Sequence, residues 1–315
     1  MIHKSEYELI THSHLADCNM FLVEMFYRPL HLHKELEIIL VLKGTGFVTA
    51  QRNTFSVHAG DVLLFNSGEL HELHCAEEGM LLLVMQISRG FCKRYVPQLR
   101  NIRFSSTNIG SCYGQAGLEA LRSKLVAAYK AYLTHDASAA FLCMASVNWI
   151  FGSILSVVPY EILDQAQISN NAKYEKRIRN LLAYLEEHFR EPVRLQDLAE
   201  AAGITQCHLS HFFRDHLHIT FQEYLCHLRI EAAMYLLKTT DLSVTTIAYE
   251  CGFSDPKYLK QGFMRILSMT PQQWRSSSAP VAKANLQNNG ATMQRILTAE
   301  ESASYFALAF PIDEV

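Results

Sequence analysis

Four side chains of types that bind metal ions or polar ligands lie in the N-terminal half of the chain. His31, His33 and Glu37 are an even number of residues apart, and His71 follows further along. Residues at even spacing on a β-strand share one face, so the first three converge if this segment is a strand. Imidazole and carboxylate groups bind divalent metals, and the same groups hydrogen-bond to organic ligands. The spacing leaves three interpretations open: a metal site, a pocket for a small organic ligand, or histidines that only support the fold.

Three further polar residues are weaker candidates for contact with an effector. They are Arg28, His74 and Gln86, which lie close in sequence to the predicted strands that carry the histidines. Each of them also fits an ordinary surface or strand-edge position.

A second set of polar residues lies in the C-terminal half, on two short segments that each follow a glycine. Each segment also has an apolar face that can be buried against neighbouring helices. A helix, a tight turn and a second helix with a polar N-terminus is the layout of a helix-turn-helix that enters the DNA major groove. Spacing alone also fits a helical bundle with solvated polar faces. The polar set comprises Gln206, Cys207, Ser210, His211 and Arg214 in the first segment and Asp255, Lys257, Tyr258, Lys260 and Gln261 in the second.

Residues 173–275 resemble the DNA-binding domain of the AraC/XylS family of bacterial transcription regulators. Matching positions include residues 197–199 and Gly203 in the first unit, and residues 247–256, 269–271 and Arg275 in the second. The resemblance implies two helix-turn-helix units joined by a long helix, with promoter DNA as the partner. It places Cys207, Ser210 and His211 of the first unit, and Lys257, Tyr258 and Gln261 of the second, at base-facing positions.

The chain departs from the family pattern at several positions. His218 and Ser268 stand where the family usually has glycine, and Leu259 and Met264 replace a usual Phe and Lys. Gly262 lies inside the second recognition helix, where glycine costs roughly 1 kcal/mol relative to alanine. These differences concern how the second helix docks on DNA.

The histidine-rich segment resembles the cupin pattern, in which HxHxxxE is followed by a glycine and a later histidine. His31, His33, Glu37, Gly44 and His71 match it, and all but the glycine occupy positions that bind metal in cupin enzymes. AraC/XylS regulators often keep a similar segment on a cupin-like sensor domain, commonly without metal. The resemblance therefore implies a pocket for a small effector, by analogy a sugar or sugar derivative, and no cofactor.

The elements that must position these residues fall into two groups. Residues 20–87 contain short apolar runs between turns, which predicts a small β-barrel or sandwich. Residues 117–135 and 137–158 have apolar residues at helical spacing, and everything from 173 onward is helical in pattern. The predicted fold is therefore α+β with two domains, a cupin-like barrel followed by a helix pair and an all-α double helix-turn-helix domain. The predicted boundaries are 1–110 for an effector-binding barrel, 111–164 for a helical dimerisation segment, 165–172 for a linker, 173–275 for the DNA-binding domain, and 276–315 for a partly disordered appendage whose residues 302–310 are apolar enough to dock.

Charge, cysteine spacing and hydropathy limit the possible classes. The net charge of the chain is −3, and residues 173–275 carry thirteen Lys or Arg and twelve Asp or Glu, which predicts modest non-specific affinity for DNA. The eight cysteines include no CxxC pair, which argues against a structural zinc module. With no apolar signal segment at the start, we expect a cytoplasmic protein. Residues 137–160 lack charged side chains, but their acidic flanks favour a helix buried in a domain or dimer core over a membrane span.

These observations predict a homodimeric, DNA-binding regulator rather than an enzyme, without a membrane partner, and in contact with RNA polymerase if it activates transcription. Two alternatives stay open. One is a metal-dependent cupin enzyme that uses the four ligand residues and binds DNA secondarily. The other is a ligand-independent regulator controlled by its expression level or by a protein partner through residues 276–315.

Overall fold

A β domain, a helix pair and a helical domain follow one another along the chain, and the C-terminal end returns to the β domain. The computed structural model describes residues 7–8, 15, 17–50, 53–75, 79–217, 219–267, 269–276 and 293–309.

The β domain is a curled, largely antiparallel sheet. The order of its strands is β5-β4-β7-β2-β8-β3-β6, and β1 lies parallel to the end of β2. The strand β2 is long enough to pair with two partners, β8 along its first half and β7 along its second half. The strands are β1 (Tyr7–Glu8), β2 (Cys18–His33), β3 (Leu36–Lys43), β4 (Thr45–Ala50), β5 (Asn53–His58), β6 (Val62–Phe65), β7 (His71–Cys75) and β8 (Met80–Ile87).

Both faces of this sheet are covered, so its central strands are apolar almost throughout. In β3, Ile39 and Val41 fill the interior of the curled sheet, whereas Ile38 and Leu40 pack outward against helices. These helices are α1 (Gln115–Tyr132) and α2 (Ala137–Val157), and a two-stranded ribbon of β9 (Ile102–Phe104) and β10 (Tyr160–Ile162) flanks them. The cupin-like barrel followed by a helix pair is confirmed.

The helix α2 is the one described helix that is long and apolar enough to cross a membrane by length and composition. Its Cys143, Val147 and Ile150 are fully buried in the core that α1, α2 and the sheet share. On the opposite face, Phe141 and Leu142 are 80% and 63% exposed. One face of α2 is therefore buried within the chain, as expected, whereas the opposite face is exposed.

The C-terminal domain consists of short helices around one long helix. Polar side chains cap most of them, such as Thr205, Thr220 and Ser243 at successive N-termini, which satisfies backbone N–H groups that have no helical partner. Two helix-turn-helix units, α4 with α5 and α7 with α8, are joined by α6 as predicted. The helices are α3 (Gln165–His188), α4 (Leu195–Ala201), α5 (Gln206–Phe212) with a π-helical continuation (Phe213–Leu217), α6 (Phe221–Thr239), α7 (Val244–Glu250), α8 (Pro256–Leu267) and α9 (Pro271–Ser276).

The segment 165–172, which we interpreted as a linker without regular structure, is the first part of α3. The Asp164 side chain accepts a hydrogen bond from the Gln167 N–H (2.7 Å), and the Gln167 side chain accepts one from the Asp164 N–H (2.7 Å). This reciprocal capping box starts a helix without any apolar pattern. The connection between the domains is therefore helical.

The structure explains why glycine occupies two positions, which the sequence alone did not explain. Gly252 ends α7 with φ of +83°, and a Cβ there would lie 2.6 Å from the carbonyl oxygen of Arg190. In α8, a Cβ on Gly262 would lie 2.6 Å from Cδ1 of Ile230 in α6. The second recognition helix therefore packs unusually close to the long helix.

The last described segment forms a strand, β11 (Met293–Ile296), and a helix, α10 (Ala299–Ala309). The strand β11 pairs with β2 of the N-terminal domain, and Phe306 of α10 is buried in the core shared with α1. The expectation that the apolar end of the chain docks is confirmed for these residues. The expected disorder of 276–290 falls almost entirely outside the described residues.

Candidate effector site and DNA-binding surface

The cluster predicted from the sequence forms inside the curled sheet. His31 and His33 come from β2, Glu37 from β3 and His71 from β7, and all four are at most 5% exposed. Nε2 of His33 lies 3.2 Å from Oε2 of Glu37, and Nε2 of His71 lies 3.4 Å from Oε1. The rings of His31 and His71 have centroids 4.2 Å apart. Two consecutive strands, β2 and β3, and the more distant β7 thus bring these groups together.

The backbone orients all three imidazoles in the same way. Nδ1 of His31, His33 and His71 lies 2.7, 3.1 and 2.9 Å from a carbonyl oxygen two residues away. A carbonyl only accepts, so each Nδ1 carries the proton and donates it. In the neutral ring this leaves the lone pair on Nε2, directed into the cluster. Backbone carbonyls hold metal-binding histidines in the same manner.

Protonation within the cluster is set by burial and by the nearby charges. Burial lowers the pKa of His31 well below its usual value, and the positive charge of Arg28 lowers it further. Burial alone would raise the pKa of Glu37, but the charges and hydrogen bonds of His33 and His71 outweigh it and hold this pKa well below the usual value. The cluster therefore combines a neutral His31 with an ionised carboxylate.

Glu37 is also held by a side chain from β8. Nε2 of Gln86 donates to Oε2 of Glu37 (2.8 Å), and Nδ2 of Asn19 donates to Oε1 of Gln86 (3.0 Å). Phe65 stacks on the ring of His71 with centroids 4.1 Å apart. The result is a rigid group of hydrogen-bond acceptors with one apolar wall.

The structure brings most of the predicted effector-site residues together, with one correction. Gln86 belongs to the cluster, and Arg28 acts on it through its charge. His74 does not belong to it, because side chains alternate along β7. His71 and Leu73 face the interior, whereas His74 packs edge-on against Tyr27 on the outer face.

The outer faces of β2 and β7 contact the DNA-binding domain, which the sequence analysis missed. The Tyr27 hydroxyl donates to Oε1 of Glu72 (2.9 Å), and Nδ1 of His227 in α6 lies 3.8 Å from the same oxygen. Leu30 and Leu32 of β2 pack into the core of the helical domain. The alternation of types in β7, His-Glu-Leu-His-Cys, was the available signal, since Glu72 must point away from the face that carries His71.

The predicted DNA-binding residues lie on two accessible helix faces. Leu209 and Phe213 anchor the first recognition helix, and Leu259 and Phe263 anchor the second; none of the four is exposed. Asp255 caps α8 by accepting from the Lys257 N–H (2.7 Å) rather than projecting freely. The residues that are exposed are Gln206, Cys207, His211, Arg214, Lys257, Tyr258, Lys260 and Gln261, and those that are partly exposed are Ser210 and Asp255.

A curled sheet with an internal polar cluster, followed by two helix-turn-helix units with exposed polar faces, defines a DNA-binding transcriptional regulator with a sensor domain. Comparison with known proteins specifies which kind. Residues 24–103 match the AraC-like ligand binding domain, and residues 198–277 match a helix-turn-helix domain.

Similar proteins bear names of the same kind. The chain is 24% identical over 261 residues to the uncharacterized HTH-type transcriptional regulator YdeC of Bacillus subtilis, covering 80% of this chain and 88% of YdeC. It is 27% identical over 254 residues to the HTH-type transcriptional activator RhaS of an Enterobacter species, covering 78% and 87%. It spans 32% of the length of a Staphylococcus aureus HTH-type regulator to which it is 25% identical.

Among solved structures, the DNA-binding domain of AdpA in complex with a target DNA is 30% identical. This similarity covers 30% of this chain and 86% of that one, with a TM-score of 0.29. The chain belongs to the AraC type of transcriptional regulators, with an AraC-like ligand-binding domain ahead of its helix-turn-helix domain.

Proposed function

We propose that this regulator binds promoter DNA through α5 and α8 and responds to a small polar effector, a sugar or sugar derivative, at the histidine cluster. The observation that carries this proposal is the convergence of three imidazoles and a carboxylate inside a sheet whose outer face contacts the DNA-binding domain. The similar proteins bear the names of transcriptional regulators, which supports a binding role for the cluster rather than a catalytic one.

The chemistry of the cluster suits a ligand with several hydroxyl groups. Nε2 of His31 and the oxygens of Glu37 accept hydrogen bonds, while the Gln86 amide donates one. A sugar offers adjacent hydroxyls that donate and accept in turn, and Phe65 provides an apolar wall for a ring face. Because the cluster is buried, a ligand must move β2 or β7 to enter.

That movement provides a route from the effector to DNA. In β2, His31 and His33 face the cluster while Leu30 and Leu32 face the helical domain. In β7, His71 faces the cluster while Glu72 faces His227 of α6. A shift of either strand therefore changes both faces at once. The effector regulates DNA binding if it stabilises one docking arrangement of the helical domain more than another.

A divalent cation is a second candidate for the same cluster, and a specific contact favours it. With Nδ1–H donated to carbonyls, the Nε2 lone pairs of His33 and His71 face the oxygens of Glu37. Acceptors at 3.2 and 3.4 Å require a proton or a metal ion between them. One ring nitrogen from each of His31, His33 and His71 lies within 4.8 Å of the other two. These three nitrogens with one carboxylate are a donor set that Zn²⁺ and related ions prefer.

We further propose that the active form is a cytoplasmic homodimer, with contact to RNA polymerase if it activates transcription. The exposed apolar face of α2 supports a second copy as its partner, because a face shared by two identical subunits is buried in both at once. Sedimentation of Phe141→Glu should give a monomer at concentrations where the wild type is a dimer. A dimer of unchanged stability would place the interface elsewhere.

The decisive experiment is thermal unfolding of the full chain with a panel of sugars, with Zn²⁺ and with a chelator. A ligand at a hundredfold excess over its dissociation constant stabilises the folded state by about 2.7 kcal/mol. His71→Ala should abolish the shift caused by a sugar, and the matched variant His74→Ala, on the other face of the same strand, should keep it. A shift that survives in both variants would refute the proposed site. Destabilisation by chelator alone, reversed by Zn²⁺, would favour the cation.

A further inference from the structure

One edge of β2 is covered by the C-terminal end of the chain. Met25 pairs with Met80 of β8 on one side and with Gln294 of β11 on the other. The strand β7 follows β8 along the first side, because Tyr27 pairs with His74 of β7 and, across β2, with Met293 of β11. On the second side, β11 pairs with β2 from Tyr27 to Val23. An open strand edge presents unpaired N–H and C=O groups that accept another strand. The edge of β2 between Val23 and Tyr27 is therefore a strand-docking surface.

Side-chain contacts make the docking specific. The guanidinium of Arg295 donates to Glu24 of β2 (2.9 Å) and to Glu301 of α10 (2.6 Å), which links the strand, the helix and the sensor domain. Glu301 also closes a capping box with Thr298, because each accepts from the other's backbone N–H (2.8 and 3.2 Å). The turn between β11 and α10 is thus defined by the sequence.

The helix α10 is anchored on α1. Ser302 is fully buried, and its Oγ accepts from the hydroxyl of Tyr129 at 3.0 Å. Phe306 is 2% exposed and packs on the ring of Tyr129, with centroids 5.7 Å apart. Ser302 and Phe306, which are one helical turn apart in α10, therefore both contact Tyr129 of α1.

We propose that residues 293–309 form a C-terminal clip, which docks on the β2 edge and on α1 and thereby fastens the far end of the DNA-binding domain to the sensor domain. The clip meets β2 at Tyr27, whose side chain lies in the core of the helical domain. The occupied edge therefore supports the contact of Tyr27 and Glu72 with α6. Residues 277–292 join the clip to α9, and such a segment spans at most roughly 50–60 Å when extended. This short tether gives the clip a high effective concentration at its own sensor domain.

The test uses the full chain with a protease site placed in residues 277–292. After cleavage, the C-terminal fragment of the wild type should remain bound to the body of the protein in gel filtration. In Ser302→Lys, which puts a charged chain into a fully buried position, the fragment should separate. Glu300→Ala, a neighbouring exposed position, is the matched control and should behave as the wild type. Separation of the wild-type fragment, or equal retention in Ser302→Lys, would overturn the proposal.

Two further measurements keep the proposal testable if Ser302→Lys fails to fold. Arg295→Glu should release the cleaved fragment, and adding Glu24→Arg should restore retention by reversing the ion pair. In the uncut chain, amide exchange in β2 at residues 23–27 and in α6 should accelerate in Arg295→Glu by at least about tenfold. Unchanged exchange in α6 would contradict the link to the DNA-binding domain. A dimer that dissociates in Arg295→Glu would assign the clip to a second copy and overturn the intramolecular tether.

Discussion

The close contact between α6 and α8 makes Gly262 a sensitive test of how the second recognition helix is positioned. Alanine at this position gains about 1 kcal/mol in helix propensity. Its Cβ would lie 2.6 Å from Cδ1 and 3.0 Å from Cγ1 of Ile230, and 3.2 Å from Sγ of Cys226. Carbon atoms in contact prefer about 3.5–4.0 Å. Ile230 is fully buried, so its side chain cannot move aside and α8 must shift by about 1 Å.

Overpacking of this kind costs about 1–3 kcal/mol, which equals or exceeds the gain in propensity. We expect Gly262→Ala to lower the free energy of unfolding by up to about 2 kcal/mol. Gly152 of α2 is the matched control, because it is an exposed helical glycine whose added Cβ would meet no atom within 4 Å. Because Gly152 shares the exposed face of α2 with Phe141, both changes are compared in the Phe141→Glu background, where Gly152→Ala should raise stability by about 0.5–1 kcal/mol. The two glycine-to-alanine changes should therefore have opposite signs.

The same shift should affect DNA binding, since α8 carries Lys257, Tyr258 and Gln261. Urea unfolding gives stability, and titration against an operator selected by the wild type from random DNA gives affinity. Gly262→Ala should weaken specific binding, and Ile230→Val, which removes the Cδ1 methyl, should restore it in the double variant. If Gly262→Ala is as stable as the wild type and binds the operator equally well, the inferred close packing is wrong.

Three other predictions concern the two domains and their contact. Lys257→Ala and Gln261→Ala should each cost about 1–3 kcal/mol in operator binding but little on random DNA; equal losses on both would show that neither contacts bases. His33→Ala should remove the effector response while leaving operator affinity intact, and an unchanged dose-response would place the effector elsewhere. Burial lowers the pKa of His227 below its ordinary 6.5, against the opposing effect of Glu72. The contact of α6 with the sensor is therefore fully stable above pH 6.5 and weakens as the pH falls. The free energy of unfolding, measured from pH 8 down to pH 5, should decline less in His227→Asn than in the wild type. Equal declines in the two proteins would show that protonation of His227 is not the cause.

The sequence was sufficient where local patterns determine the structure. Apolar residues at helical spacing identified α1 and α2, and Thr205 and Thr220 marked the starts of α5 and α6. The histidine cluster was accessible in part, because alternation in β2 places His31 and His33 on one face. Contrary to expectation, Glu37 does not lie on the same strand: it belongs to β3 and reaches the cluster after a turn at residues 34–35. The HxHxxxE pattern then pointed to His71 as the fourth member.

The features that could not be predicted from the sequence depend on contacts between segments that are distant in sequence. Whether His71 or His74 faces the cluster depends on the partners of β7 across the sheet, which are His31 for His71 and Tyr27 for His74. Alternation along β7 then places His74 on the outer face. The helix at 165–172 was missed because its sequence shows no apolar periodicity, so only the capping box at Asp164 marks it. Pairing of β11 with β2 joins residues separated by more than 260 positions, and no local signal encodes such a register.

These long-range contacts converge on β2, which joins the histidine cluster to the helical domain. Its inner face carries His31 and His33, its outer face carries Leu30 and Leu32 against the helical domain, and its free edge takes the C-terminal clip. Because a strand is nearly inextensible, displacement of the histidines must also move Leu30 and Leu32, which alternate with them along β2. A ligand that pushes β2 outward therefore disturbs the helical domain and the clip together. If the effector binds at the histidine cluster as proposed, its binding, docking of the helical domain and closure of the clip are linked equilibria, and a change in any one alters the other two.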